Sequence, residues 1–324
     1  MAARTKSKVT PKYKTKYRVK NWPAYEEALR KRGDITVRFD EAAIERWNSA
    51  PTDRRPDGKQ LYSDLAILTA LTLRTVFHLP LRQTEGFVSS LIRLMDLDLE
   101  TPDHTTLSRR SGSIDVPALP RMQSGPIHLV IDSTGLKMLD DGEWHNLKHR
   151  TSNKRRSWRK LHLAVDSSGF IVASELTSSG ADDASVGATM IEKIEVAIER
   201  FTADGAYDTR AIYEALTAAG ERGTTIVIPP RKTASRSKPA EGRLKQRDAA
   251  IRRIAEVGRR QWRKESGAHQ QARAENAMLR YKRIIGDGLR AKKPEAQVRQ
   301  AKIGVNVLNK MVALGMPESE KIVA

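Results

Sequence analysis

Two aspartates interrupt apolar stretches that are otherwise typical of β-strands. Asp132 follows the run IHLVI, and Asp204 follows FTA and precedes a glycine. In open α/β sheets, ligands bind at the carboxyl ends of the strands, so acids placed there indicate a site if the strands are neighbours. Two adjacent carboxylates repel one another, and a bound divalent cation removes that penalty. Oxygen ligands of this kind favour Mg²⁺ or Mn²⁺.

A third acid lies in the segment RAENAMLRYKR. Glu275 and Lys282 are seven residues apart, which places them on one helix face, two turns from each other. A carboxylate and an ammonium on one face can hold a metal and an adjacent phosphate. Taken singly, a strand-end Asp is most often a turn or cap residue and a helix Glu is most often a solvated surface residue, so only their joint occurrence favours a site. The opposite, buried stripe of this helix is predicted to contain Ala277, Met278, Tyr281, Ile284 and Ile285.

The elements that would position these acids follow from the pattern of apolar residues. Three β-rich runs come in succession, IHLVID, WRKLHLAVDSSG and FIVASELTSSG, and the short DSSG link predicts a hairpin between the last two. Helical and strand patterns then alternate, which gives the order β-β-β-α-β-α-β followed by helices. This order predicts an α/β fold with a mixed sheet flanked by helices.

The region before the sheet differs in composition and in its pattern of apolar residues. Residues 1–60 are basic and broken by prolines, and residues 61–120 contain three helical patterns. The third pattern, TPDHTTLSRR, is predicted to start at a cap provided by Asp103 or Thr105. A helix, a short link and this short helix are compatible with helix-turn-helix DNA binding. A small helical packing domain explains the same pattern equally well.

The charge of the chain restricts its partners. Lys and Arg number 58 against 39 Asp and Glu, a formal net charge of +19, which indicates a polyanion and nucleic acid first. A membrane is disfavoured because the most apolar stretch contains Asp64, Arg74 and His78. The chain has no cysteine, which excludes disulfides and thiolate metal sites. No secretory signal pattern begins the sequence, and we expect a cytoplasmic, nucleoid-associated protein.

Two internal segments concentrate the positive charge. Residues 144–160 contain seven Lys or Arg and no acid, and residues 231–264 contain thirteen against three acids. We expect both to contact the DNA backbone, with Trp144 and Trp158 either stacking on an unpaired base or packing in the core. His145 and His149 lack the further ligands of a zinc site. The residues expected to contact DNA are Lys282, Arg109, Arg110, Lys154, Arg155, Arg156, Arg159, Lys160, Arg231 and Lys232.

Together these motifs resemble the DDE transposases of bacterial insertion sequences, whose catalytic domain is RNase H-like. The resemblance is carried by VIDSTGLK, TADGAYDTR and AENAMLRYKRIIG, supported by KRRSWRKLHLAVD and PDHTTLSRR, and runs from about residue 60 to the C-terminus. The family's third motif has a Lys seven residues after its Glu, which Lys282 matches. It also has a Tyr and an Arg seven and four residues before the Glu, where this chain has Ala268 and Gln271. Arg273 is a candidate for the missing positive charge.

The resemblance implies a mechanism and a set of partners. It makes Asp132, Asp204 and Glu275 catalytic residues and the ligands of two Mg²⁺ or Mn²⁺ ions. The implied reaction cuts double-stranded DNA at terminal inverted repeats and joins the 3′ ends to target DNA by phosphoryl transfer. It also implies a homodimer on paired ends. Val305, Leu308 and Met311 of the last helix either contribute to that dimer or cap their own domain.

The resemblance and the composition together suggest four parts. These are a basic arm (1–60), a helical DNA-binding domain (61–120), an RNase H-like catalytic domain (121–288) that includes the basic segment 231–264, and a C-terminal helix (289–324). Two alternatives stay open: another RNase H-like metal nuclease, and a DNA-binding protein without catalysis. The neighbouring acids Asp140, Asp208 and Glu265 are expected to tolerate substitution.

Overall fold

The sheet and helices expected from the sequence are present. A computed structural model describes residues 17–35, 39, 41–48, 61–138, 158–219, 223–237 and 244–322. A six-stranded mixed sheet lies between helices, with a group of N-terminal helices beside it. The predicted order β-β-β-α-β-α-β followed by helices is confirmed.

The described helices number ten and vary from one to six turns. They are α1 (Trp22–Lys31), α2 (Glu41–Glu45), α3 (Asp64–Val76), α4 (Leu81–Leu94), α5 (His104–Arg110), α6 (Asp183–Glu192), α7 (Arg210–Ala219), α8 (Lys245–Ser266), α9 (Ala272–Ile284) and α10 (Pro294–Leu314). Short 3₁₀ turns cover Gly205–Tyr207 and Ala268–Gln271.

The strands form one large sheet and one small ribbon. The strands are β1 (Tyr17–Val19), β2 (Ile127–Met138), β3 (Trp158–Val165), β4 (Ile171–Ser178), β5 (Ile198–Thr202), β6 (Thr225–Val227), β7 (Gly288–Leu289) and β8 (Ser319–Lys321). The large sheet has the order β4-β3-β2-β5-β6, with β7 beside the far end of β2. Strands β2, β3 and β4 are antiparallel, whereas β5 and β6 run parallel to β2. Strands β1 and β8 pair near the chain ends.

Strand β2 supplies both faces of the sheet because its side chains alternate. Ile127, Leu129 and Ile131 are buried in the cluster that contains α6 and α7. Val130 and Leu136 are buried in the cluster that contains α9 and α10 on the opposite face. The alternation predicted from the sequence is therefore confirmed, and Asp132 belongs to the α9 side by its position in the period of two.

Helices α9 and α10 approach closely at a glycine. A Cβ on Gly304 of α10 would lie 2.8 Å from the hydroxyl of Tyr281 on α9 and 2.9 Å from the side chain of Ile285, the C-cap residue of α9. Tyr281 is 2% exposed. The glycine thus lets α10 lie close to α9, the helix that carries Glu275.

The C-terminal helix α10 is buried inside its own chain. Val305, Leu308 and Met311 pack in the core beneath the sheet, and Ile303 packs with the N-terminal helices. Asn309 also pairs with the backbone of Ile171, at 2.8 and 2.9 Å. The expectation that these apolar residues contribute to a dimer is therefore corrected, because the helix fills two cores of its own chain.

The N-terminal helices pack around one further cluster. Asp103 caps α5 by accepting the Thr105 and Thr106 N–H groups, at 2.8 and 3.0 Å, as predicted. The link between α4 and α5 has nine residues, from Met95 to Asp103, compared with about three or four in a helix-turn-helix. This pair therefore lacks the short turn of a helix-turn-helix, and the choice between a DNA-binding and a packing role for these helices stays a prediction.

The length and composition of the helices bear on membrane crossing. No single helix among the described ranges is long and apolar enough to span a bilayer, and only α3 with α4, bent by 111°, reach that composition as a pair.

Substitution at Gly304 tests the packing of α9. We expect Gly304→Ala to lower the free energy of unfolding by about 1–3 kcal/mol, because the added methyl overpacks the contact with Tyr281. Gly86→Ala in α4 is the matched control, since nothing lies within 4 Å of its added Cβ, and it should stabilise by up to about 1 kcal/mol. Urea denaturation measures both, and equal effects of the two substitutions would contradict the close packing.

Candidate active site

The register of two parallel strands brings Asp132 and Asp204 to the same level. Thr202, the last residue of β5, pairs with Val130 of β2. Asp132 lies two residues after Val130 in β2, and Asp204 lies two residues after Thr202, just past the end of β5. Neighbouring strands are about 4.8 Å apart, so the two acids lie side by side at the end of β5. The juxtaposition expected from the sequence is present.

The electrostatics of Asp132 show that three acids are neighbours. The pKa of Asp132 is raised from 3.8 to about 6, first by burial and further by the negative charges of Asp204 and Glu275. The Ser133 N–H, which donates to the Asp132 carboxylate at 2.8 Å, opposes the rise. An acid in this setting gains from any cation that enters the site.

A short turn holds Asp204 at the strand end. Its carboxylate accepts the Ala206 N–H at 2.8 Å and so caps the 3₁₀ turn that follows. Tyr207 anchors that turn, because it is 1% exposed and its ring packs against Gly187 of α6. The side chain of Asp204 itself is exposed, so it is rigidly carried and open to solvent.

Helix α9 presents Glu275 towards the same site. Ala277, Met278 and Tyr281 bury one stripe of the helix against the sheet, as the sequence predicted. Glu275 lies in the first turn and is exposed, and Lys282 is half-buried two turns later. The helix therefore places a carboxylate beside Asp132 and an ammonium further along.

Gln271 is a site residue whose role the sequence did not reveal. It occupies the position where the resemblance leads one to expect an arginine, immediately before α9. Its Nε2 donates to the Ile131 carbonyl at 3.1 Å, and its side chain also hydrogen-bonds with Asp132, which lowers the pKa of that carboxyl. Gln271 thus ties the start of α9 to the strand that carries Asp132. A residue counted as a departure in the sequence is part of the site.

Ala268, at the position where the family has a tyrosine, lies in a different environment from Gln271. Ala268 is 9% exposed and packs with Val227 and Trp262 in a small cluster at the edge of the sheet. Arg273 lies near His128, and its charge, after burial, contributes to the lowered pKa of that histidine. The expectation that Arg273 replaces the missing positive charge stays a prediction.

The donor set suits a hard divalent cation. The site offers carboxylate oxygens and no cysteine, and the negative charges around Asp132 favour any positive partner, whether a proton or a metal cation. No group of three or more His, Cys, Asp or Glu in the described parts of the chain forms a ready-made metal cluster. The acids therefore form an open site, in which further ligands have to come from solvent or substrate.

Three basic residues expected to contact DNA are instead committed to contacts within the protein. Arg159 donates to the Leu176 carbonyl at 3.0 Å and to the Gln297 side chain at 3.1 Å. Lys160 donates to the Ala181 carbonyl at 2.8 Å. Arg110 forms an ion pair with Asp64. These residues connect elements that are distant in sequence, so we correct the expectation and leave them out of the DNA-facing surface.

Other basic residues expected to contact DNA have more exposed side chains. Arg109, Arg231 and Lys232 are exposed. Lys154, Arg155 and Arg156 lie outside the described residues, as do His145 and His149. Trp158 is 52% exposed and its ring covers Gly135, so the interpretation as a core residue fails for it. Trp144 lies outside the described residues.

Asp208 is not the tolerant neighbour that the sequence suggested. Its carboxylate is fully buried and pairs with Arg247 at 2.8 Å. Glu265 fits the expectation better, because it pairs with Arg253 on the surface at 2.9 Å. Asp140 lies outside the described residues.

Comparison with known families agrees with this arrangement. A family model described as a transposase DDE domain matches residues 123–309, which is more than half of the chain. A second family model with the same description matches residues 30–141. The first match spans Asp132, Asp204, Glu275 and Lys282, and the second overlaps it along β2.

The coupling among the carboxylates can be measured in the metal-free protein. We expect the Asp132 carboxyl carbon to titrate near pH 6 by NMR. Asp204→Asn should lower this pKa, because it removes a nearby negative charge, and Gln271→Ala should raise it, because it removes a hydrogen bond to the charged form. Asp103, remote on α5, is the internal reference. An Asp132 pKa that does not respond to Asp204→Asn would show that the two acids are not neighbours.

Proposed function

Because the chain belongs to the DDE transposase family, we propose that it cuts DNA at the terminal inverted repeats of a mobile element and joins the freed 3′ ends to target DNA. Asp132, Asp204 and Glu275 are the proposed catalytic residues. The observation that carries the proposal is the pairing of β5 with β2, which brings Asp204 level with Asp132, together with the position of Glu275 in the first turn of α9. Acids from a strand, a strand end and a helix share one electrostatic environment.

DDE transposases use divalent metal ions, and the three carboxylates fit that requirement. We propose that they would hold two Mg²⁺ or Mn²⁺ ions. Such ions supply an activated water or 3′-hydroxyl and stabilise the leaving oxygen during in-line displacement at phosphorus. The chain contributes fixed oxygen ligands and takes no covalent part in the reaction. We propose that Gln271, whose Nε2 donates to the carbonyl of the residue before Asp132, helps to keep this carboxylate oriented towards the site.

The basic residues around this edge would bind the DNA backbone. Lys282 lies on the helix of Glu275, two turns later, and we propose that it contacts a phosphate beside the carboxylates. Arg231 and Lys232 lie a few residues after strand β6, and Arg109 lies on α5. Helix α8 adds further exposed basic side chains at Lys245, Arg252, Arg260, Arg263 and Lys264. Contacts of this kind release counterions and give affinity without reading sequence.

Joining two ends requires two active sites in one complex, so we propose a homodimer on paired ends. The apolar residues of α10 are buried in the protein's own cores and do not supply its interface. We place the partner surface elsewhere on the chain, at positions that the DNA complex would determine.

Single substitutions of the carboxylates test the function. We expect Asp132→Asn, Asp204→Asn and Glu275→Gln each to reduce Mg²⁺-dependent nicking and joining of an end-containing duplex to background. End binding should be largely retained, because it depends on Lys and Arg contacts to phosphate. A double substitution should be no worse than a single one, since the three residues act as a unit. Gel assays of nicking, joining and binding measure all three properties.

Glu199→Gln is the matched control, because Glu199 is an exposed carboxylate on β5, the strand that leads to Asp204. It should retain nicking and joining. Substantial activity in Glu275→Gln would show that the third ligand has been assigned to the wrong helix. Nicking without joining would favour a different RNase H-like nuclease, and binding without nicking would favour a non-catalytic DNA-binding protein.

A further inference from the structure

The turn that carries Asp204 ends at a buried acid with several donors. Asp208 is 7% exposed, and its side chain is fully buried. Its carboxylate accepts the Arg247 Nε–H at 2.8 Å, the Arg231 N–H at 3.2 Å and the Tyr213 hydroxyl at 3.4 Å. The charge is paired and each oxygen has a partner, which is the condition for a stable buried carboxylate.

These donors tie the turn to the basic segment. Arg247 lies in the first turn of α8, and its Nη1 also donates to the Ser235 carbonyl at 2.9 Å. Arg231 reaches back with Nη2 to the Ala206 carbonyl, inside the turn, at 3.4 Å. Both residues 231–237 and the start of α8 are therefore fastened to the turn that begins at Asp204.

The Asp204 side chain makes few contacts that could fix its own orientation. Its side chain is exposed, and the structure gives it one hydrogen bond, from the Ala206 N–H within the same turn. The direction of the carboxylate thus depends on the shape of the turn. That shape is fixed from behind by Tyr207 and Asp208, which are both buried.

We propose that Asp208 and Arg247 are positioning residues for Asp204, and that they fix the basic segment and this acid in one rigid arrangement. DNA bound by the exposed basic residues of the segment would then be held at a set distance from the carboxylate. Because this role presupposes the proposed metal-dependent cleavage, its test includes a measurement that does not depend on cleavage.

A second buried Asp–Arg pair provides a matched control. Asp166 is 1% exposed, pairs with Arg121 at 3.3 Å and accepts the backbone N–H groups of Ser168 and Phe170, at 2.8 and 3.0 Å. It follows β3 at the end of the sheet where β2 and β5 begin, away from the three acids. The two pairs share chemistry and burial but differ in their distance from the site.

The experiment compares Arg247→Lys with Arg121→Lys. Lysine keeps the charge that neutralises the buried aspartate, so both variants should fold, but it lacks the planar set of donors that contacts two groups at once. Thermal unfolding monitors stability, electron paramagnetic resonance of added Mn²⁺ gives metal affinity, and gel assays give DNA binding and Mg²⁺-dependent nicking. Loss of a residue that orients a metal ligand typically weakens metal affinity by about 10–100-fold.

We expect Arg247→Lys to weaken Mn²⁺ binding by about tenfold or more and to raise the Mg²⁺ concentration needed for half-maximal nicking similarly. End binding should be largely retained. Arg121→Lys should leave both metal dependences unchanged even if it lowers the unfolding temperature as much. Unchanged Mn²⁺ affinity in Arg247→Lys, or an equal loss in Arg121→Lys, would overturn the positioning role while leaving the proposed function intact. If the unaltered protein fails to nick DNA, the proposed function fails and the Mn²⁺ measurement alone decides the positioning role.

Discussion

Mutual repulsion among three carboxylates is the constraint that the rest of the structure serves. Asp132, Asp204 and Glu275 come from a strand, a strand end and a helix. Their negative charges repel one another, so the electrostatic energy would be lower if the three side chains were further apart. The raised pKa of Asp132 records the cost of burial and of the neighbouring negative charges. Folding must overcome this cost, and the surrounding packing does so. Tyr207 against Gly187 anchors the turn of Asp204, and Gly304 lets α9 lie close to α10. Active sites are places where such unfavourable arrangements are held by the surrounding fold.

The same packing leaves the acids open on one side. Asp204 and Glu275 are exposed, and no complete metal cluster exists among the described residues. An open site is suited to a large polyanionic substrate, because phosphate oxygens can complete the metal shell only where the protein does not. The excess of basic residues, +19 overall, supplies the attraction that brings such a substrate to a negatively charged site. Attraction and chemistry are therefore assigned to different residues, which can be altered separately.

Much of this arrangement follows from local patterns in the sequence. The alternation along β2 and the spacing of Glu275 and Lys282 predicted which faces they occupy, because both depend on the geometry of single elements. The roles of Arg159, Lys160 and Asp208 were not predictable in this way, since their partners are remote in sequence or on another element. The sequence around a basic residue does not reveal whether its side chain will pair with a carbonyl or a carboxylate elsewhere in the fold. From the sequence, Gln271 is a departure from the arginine that the family motif has four residues before its Glu. Only the fold shows that the amide at this position reaches both Ile131 and Asp132.

The raised pKa of Asp132 predicts that its charged form destabilises the fold until a cation enters. Its pKa in the folded protein, about 6, is above the ordinary 3.8, so its favourable contribution is present at low pH and is lost as the pH rises through 6. Thermal unfolding of the unaltered protein and of Asp132→Asn, at pH 7.5 with and without Mg²⁺, tests this directly. Without Mg²⁺, we expect Asp132→Asn to melt at a higher temperature than the unaltered protein. We also expect Mg²⁺ to stabilise the unaltered protein more than the variant. A variant that melts lower without Mg²⁺, or equal stabilisation of both proteins by Mg²⁺, would contradict this prediction.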